Sequence, residues 1–63
     1  MDEYQKLKSM VDEIADDVFK AVGGNKAAGT RVRKAMQDIK NTAQDIRQKI
    51  LDIRAADEPQ QPQ

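Results

Sequence analysis

Apolar residues recur along this chain at helical spacing in two stretches. In the first, Tyr4, Leu7, Val11, Ile14 and Val18 alternate intervals of three and four, which lines up one side of an α-helix against another helix. Ala21 or Val22 continues the stripe, while Met10, Ala15 and Phe19 lie beside it and widen it. A widened stripe suits a bundle with more than one neighbour. Asp2 and Glu3 near the start and Lys20 near the end complement the helix dipole, and Asp16 to Lys20 is a favourable pair one turn apart. These features predict a helix over about 3–22. Gly23-Gly24-Asn25 then predicts a reversal, because glycine takes the left-handed conformation that ends helices and Asn caps the start of the next.

The second stretch is longer. Gly29, Val32, Met36, Ile39, Ala43, Ile46, Ile50 and Ile53 keep the same alternation and predict a helix over about 26–55. Gly29 falls on the stripe near the turn, where a missing side chain would let the first helix, or the backbone of a ligand, approach closely. At about 1.5 Å per residue the helices are on the order of 30 and 45 Å long. Folded back antiparallel, the second overhangs the first and leaves Ile50, Leu51 and Ile53 without intrachain cover, which marks an interface.

The expected fold is therefore all-α: a two-helix antiparallel hairpin over 1–56 that dimerises into a coiled-coil-like four-helix bundle. The expected interface residues are Leu7, Val11, Ile14, Val18, Val32, Met36, Ile39, Ile46, Ile50 and Ile53. Residues 57–63, which include Glu-Pro-Gln-Gln-Pro-Gln, offer nothing apolar to bury and are expected to be a disordered tail. Length points the same way. A chain of 63 residues buries only about 60% of the surface its unfolded form exposes. With no Cys and no His, neither a disulfide nor a structural zinc site is available to reinforce it. Association with a second copy, as a homodimer or higher assembly, remains.

Apolar runs are too short for a membrane span and no secretory signal is visible, so a cytoplasmic protein is expected. Catalysis has no evident residues. Ser9 and Tyr4 lack a base, and Asp12/Asp16 and Glu13/Asp17 are expected on the solvent side of the first helix, away from any cleft that could shift their pKa values. No enzyme activity, cofactor, metal or small-molecule substrate is expected.

Eleven Lys and Arg balance eleven Asp and Glu, yet the charges are sorted along the chain. Lys20, Lys26, Arg31, Arg33 and Lys34 occur between Val18 and Gln37 without one carboxylate, whereas Asp12, Glu13, Asp16 and Asp17 cluster before them. A helix start with small residues around it leaves backbone N–H groups free for an anion. Lys26, Thr30 and Arg33 share one face there, with Arg31 and Lys34 spreading around the same solvent side. Phosphate binding without sequence readout is the matching chemistry, and its expected residues are Lys20, Asn25, Lys26, Thr30, Arg31, Arg33 and Lys34. Tyr4 and Phe19 are assigned to the core stripe, which leaves no aromatic for stacking on bases. The competing explanation is that this basic tip meets the acidic open end of another subunit, where Asp2, Glu3, Asp52, Asp57 and Glu58 collect.

The run from Gly24 through Lys34 (Gly-Asn-Lys-Ala-Ala-Gly-Thr-Arg-Val-Arg-Lys) and the heptads that follow through Ile53 resemble the N-terminal region of the bacterial linker-histone-like nucleoid proteins, of which the chlamydial-type histone-like proteins are best known. The resemblance implies a small helical DNA-associated protein of the nucleoid, with Lys26, Arg31, Arg33 and Lys34 on the family's basic segment. Better-known members continue into a long Lys/Ala-rich tail, whereas this sequence ends acidic and rich in Gln and Pro. Double-stranded DNA is thus an expected partner of modest affinity. A self-assembling scaffold or protein-interaction module without nucleic-acid binding is the second expectation.

Overall fold

The structure, a computed structural model, describes residues 1–57. The expected tail lies outside the described residues, apart from Asp57. Two helices, α1 (Asp2–Val22) and α2 (Lys26–Asp57), fold back on each other as an antiparallel hairpin, and no strand occurs among the described residues. The molecule measures about 50 × 20 × 13 Å, so it is one helix thick.

The turn is closed by hydrogen bonds that need glycine at one place. Gly24 has φ +102°, and the Asn25 N–H donates to the Lys20 carbonyl at 3.0 Å while the Gly24 N–H donates to that of Ala21 at 3.0 Å. This pair of bonds is the Schellman arrangement, which satisfies carbonyls that the helix end would orphan. Asn25 then caps α2, its Oδ1 accepting from the Ala28 N–H at 2.9 Å.

Contact between the helices follows a seven-residue repeat. On α1 the seam is formed by Leu7, Ile14 and Ala21 alternating with Glu3, Met10 and Asp17; on α2 by Val32, Ile39 and Ile46 alternating with Ala28, Ala35 and Thr42, all at least partly withdrawn from solvent. Among the described residues, Ile14 (9% exposed) and Ala28 (0%) are the buried hydrophobic ones. Thr42 is buried too, at 5%, and its hydroxyl lies 3.5 Å from the Met10 sulfur, a weak partner.

The apolar stripe and the seam do not coincide. Tyr4, Val11 and Val18 on α1, and Gly29, Met36, Ala43 and Ile50 on α2, form the next row on one side of the seam. In an antiparallel pair, equivalent flanking rows fall on the same face of the hairpin. Tyr4 (51% exposed), Val11 (49%), Met36 (43%) and Ile50 (42%) accordingly make an apolar face turned to solvent. The opposite edge is charged, with Lys6, Glu13 and Lys20 on α1 and Arg31, Asp38, Asp45 and Asp52 on α2. The expected interface set thus divides. Leu7, Ile14, Val32, Ile39 and Ile46 contribute to the intrachain seam, Val18 lies half-buried beside it, and Val11, Met36, Ile50 and Ile53 are exposed.

Two expectations about the core are corrected. Phe19 is 82% exposed because it points from α1 on the side away from α2, and Tyr4 is half-exposed, so neither aromatic belongs to the seam. Nor is Gly29 the place of close approach: a Cβ built there meets nothing within 4 Å, and the small residue that lets the helices meet is the buried Ala28, one position earlier. Gly29→Ala should therefore raise stability by about 0.5–1 kcal/mol through helix propensity, read as a higher melting temperature. A fall instead would mean another chain closes on that backbone.

Candidate nucleic-acid interface

Lys20, Asn25, Lys26, Thr30, Arg31, Arg33 and Lys34 are brought to the turn end of the hairpin by the reversal at Gly23–Asn25, but their polar groups are not equally available. The Asn25 side-chain oxygen fills the N-terminal site of α2, where a free anion had been expected. The Thr30 hydroxyl donates to the Lys26 carbonyl at 3.3 Å, one turn back along its own helix.

Arg31 is paired. Its Nε donates to Asp17 Oδ2 at 2.8 Å and its Nη2 to Oδ1 at 2.9 Å, the two-pronged geometry of a guanidinium on a carboxylate. Residues two apart on a helix are separated by about 200°, so Arg31 and Arg33 leave α2 in nearly opposite directions. Arg31 points along the charged edge to α1; Arg33 points outward. Asp17 is correspondingly not on the solvent side of α1 with Asp12 and Asp16: it stands at a seam position and its side chain is only 20% exposed. Lys20, Lys26, Arg33 and Lys34 remain exposed at the tip.

At the open end Lys49 Nζ donates to Glu3 Oε2 at 2.8 Å. Glu3 was expected to add to an acidic patch there; it is instead neutralised across the seam. The two ion pairs hold the hairpin at both ends and shift all four groups. Hydrogen bonds from Arg31 hold the Asp17 carboxyl below its ordinary range, helped by the guanidinium charge, and the Lys49 hydrogen bond does the same for Glu3. The partner cations are raised, chiefly by the same hydrogen bonds. A carboxyl whose pKa is lower folded than unfolded contributes stability above its unfolded pKa, which is lost as pH falls through the folded value. The cations lose theirs only as pH rises past the ordinary Lys and Arg range. The melting temperature should therefore hold a plateau near neutrality and fall below about pH 4. Replacing Asp17 with Asn and Glu3 with Gln should lower the plateau and flatten that acid limb, measurable by thermal melts across pH.

Along the outside of α2 an open groove of about 600 Å³ is lined by Thr30, Val32, Arg33, Lys34, Met36, Gln37 and Lys40. Its polar residues are all cations, amides or hydroxyls. Among the described residues no helix is long and apolar enough to cross a membrane.

A small helical hairpin whose first helix is mainly acidic and whose second is mainly basic, with an open groove free of carboxylates on the basic side, defines the class. Residues 1–56 match the sequence profile of the family described as histone H1-like protein Hc1, and the chain belongs to that family. It is a family of DNA-packaging proteins rather than of enzymes. No curated protein and no solved structure matches the chain.

Proposed function

We propose that this protein is a histone-like, nucleoid-associated protein that holds duplex DNA by its phosphates, without reading sequence, through the turn end of the hairpin. The observation that carries the reading is the character of the start of α2, which has no acidic residue in its first turn and exposes Lys26, Arg33 and Lys34 at the same end of the hairpin as the exposed Lys20 of α1. Membership of a histone-like family supports it. Asn25 and Thr30 shape the tip rather than donate to phosphate, and Arg31 joins only by exchanging Asp17 for a phosphate oxygen. With about three of its cations engaged, the tip alone should contribute roughly −3 to the slope of log affinity against log salt. Fluorescence anisotropy with duplex DNA at two ionic strengths tests this, and absence of binding at low salt would refute it.

The working unit in this proposal is a pair of hairpins joined through the apolar face of Tyr4, Val11, Met36 and Ile50, extended by Ile53 on the protruding end of α2. A hairpin one helix thick, with two buried hydrophobic residues among those described, has little apolar burial with which to offset the ordering of its helices. That exposed face is also the observation favouring the second reading, a self-assembling scaffold whose basic tips meet only acidic protein surfaces. Steep salt dependence of duplex binding separates the two.

A further inference from the structure

Cations recur on α2 every seven residues: Lys26, Arg33, Lys40, Arg47 and Arg54. The seam has the same repeat, so this row keeps a constant offset from it, on the outer side of the helix next to the apolar face. Lys26, Arg33, Lys40 and Arg47 are exposed; Arg54, at the far end, is half-buried and has a partner. On the side away from the apolar face the row is followed first by Thr30, Gln37 and Gln44 and then by Lys34, Asn41 and Gln48. Every carboxylate of α2 up to Asp52 belongs instead to the opposite, charged edge: Asp38, Asp45 and Asp52.

We infer that the DNA-binding surface extends beyond the hairpin tip to the outer face of α2, a straight track in which Lys26, Arg33, Lys40 and Arg47 engage phosphates along one duplex. This rests on the proposal that the protein binds DNA. The four cations stand about 10.5 Å apart and span about 32 Å, close to the length of one turn of duplex. Amides between them are hydrogen-bond donors suited to phosphate oxygens. The groove lined by Arg33, Lys34, Gln37 and Lys40 lies within the track and leads from the tip toward its far end. An acidic helix from a second copy matches it poorly. The outward carboxylates of α1, Asp2, Asp12 and Asp16, leave a gap between Asp2 and Asp12, whereas duplex DNA presents charge continuously.

Lys40 and Arg47 lie outside the tip and form no hydrogen bond or ion pair with α1, Arg47 donating instead to Gln44 Oε1 on its own helix, so Lys40→Gln with Arg47→Gln is the discriminating variant, titrated against a duplex of about three helical turns between about 50 and 200 mM salt. The salt slope should become shallower by about 2 and affinity at the lower salt should fall by more than about tenfold. The exchange Lys40→Arg with Arg47→Lys, which keeps charge, should restore both. An unchanged slope in the glutamine variant with helicity intact would confine contact to the tip: the track would be refuted and the proposed function kept. A loss of self-association in sedimentation, with the slope unchanged, would make a second copy the occupant of the row. Failure of the parent protein to bind duplex at the lower salt would overturn the function and the track together.

Discussion

Ile14→Ala is expected to remove about 2–4 kcal/mol of stability, the largest loss from any truncation in this protein. Among the described residues, Ile14 is the one large hydrophobic side chain that the hairpin itself buries. It stands midway along α1 at a seam position, where Met10, Asp17, Ala35 and Asp38 share a recess with it. A domain of this size has only about 3–8 kcal/mol to lose, so the variant should be partly unfolded at physiological temperature and should show a sharply lower urea midpoint. Phe19→Ala supplies the contrast. It removes more side chain, but from a position 82% exposed, and should change stability by no more than about 0.5 kcal/mol. Equal effects of the two would mean that the helices meet in another register.

Met36→Glu combined with Ile50→Glu should dissociate and unfold the protein, although both residues are half-exposed in the hairpin and an isolated hairpin would tolerate the change within about 0.5 kcal/mol each. That gap between small and large makes the variant informative. If a second copy covers the apolar face, two buried carboxylates without partners cost several kcal/mol, and because assembly and folding are linked, helicity falls with the oligomer. Sedimentation at micromolar concentration should give at least twice the chain mass for the parent and one chain mass for the variant, with loss of the helical circular dichroism signal. A parent that sediments as a single chain, with a melting temperature independent of concentration, would refute self-association.

Both helices and the reversal were legible in the sequence because they are locally determined: threes and fours specify helix, and Gly23-Gly24-Asn25 specifies a turn whose positive φ only Gly24 supplies cheaply. The rotation of each helix about its axis was not. A stripe wider than one contact, such as Leu7 and Ile14 flanked by Val11 on one side and Met10 on the other, permits more than one seam. The hairpin takes the side that brings Asp17 to Arg31 and Glu3 to Lys49, leaving Tyr4, Val11 and Met36 outside. Polar residues at seam positions, Thr42 among them, carry no apolar signal and were passed over. At the candidate interface the cations were visible, but their directions depended on that rotation, and Arg31 changed edge once it was known. The cation row was readable all along as a seven-residue recurrence. Counting charge density in a window finds Arg31-Val32-Arg33-Lys34 and misses Lys40 and Arg47, because evenly spread charges never look like a cluster.

Division of charge between the helices also governs the kinetics of any encounter with a polyanion. The whole chain is formally neutral, so it has no net monopole to draw it toward DNA from afar. The separation of acidic α1 from basic α2 leaves a transverse dipole, whose field falls off faster with distance and acts mainly within a Debye length, about 10 Å at 0.1 M salt. Such a molecule arrives at an ordinary diffusive rate and rotates into place only at close range. The salt dependence of its duplex affinity should therefore appear chiefly in how fast complexes dissociate, with the association rate constant changing comparatively little.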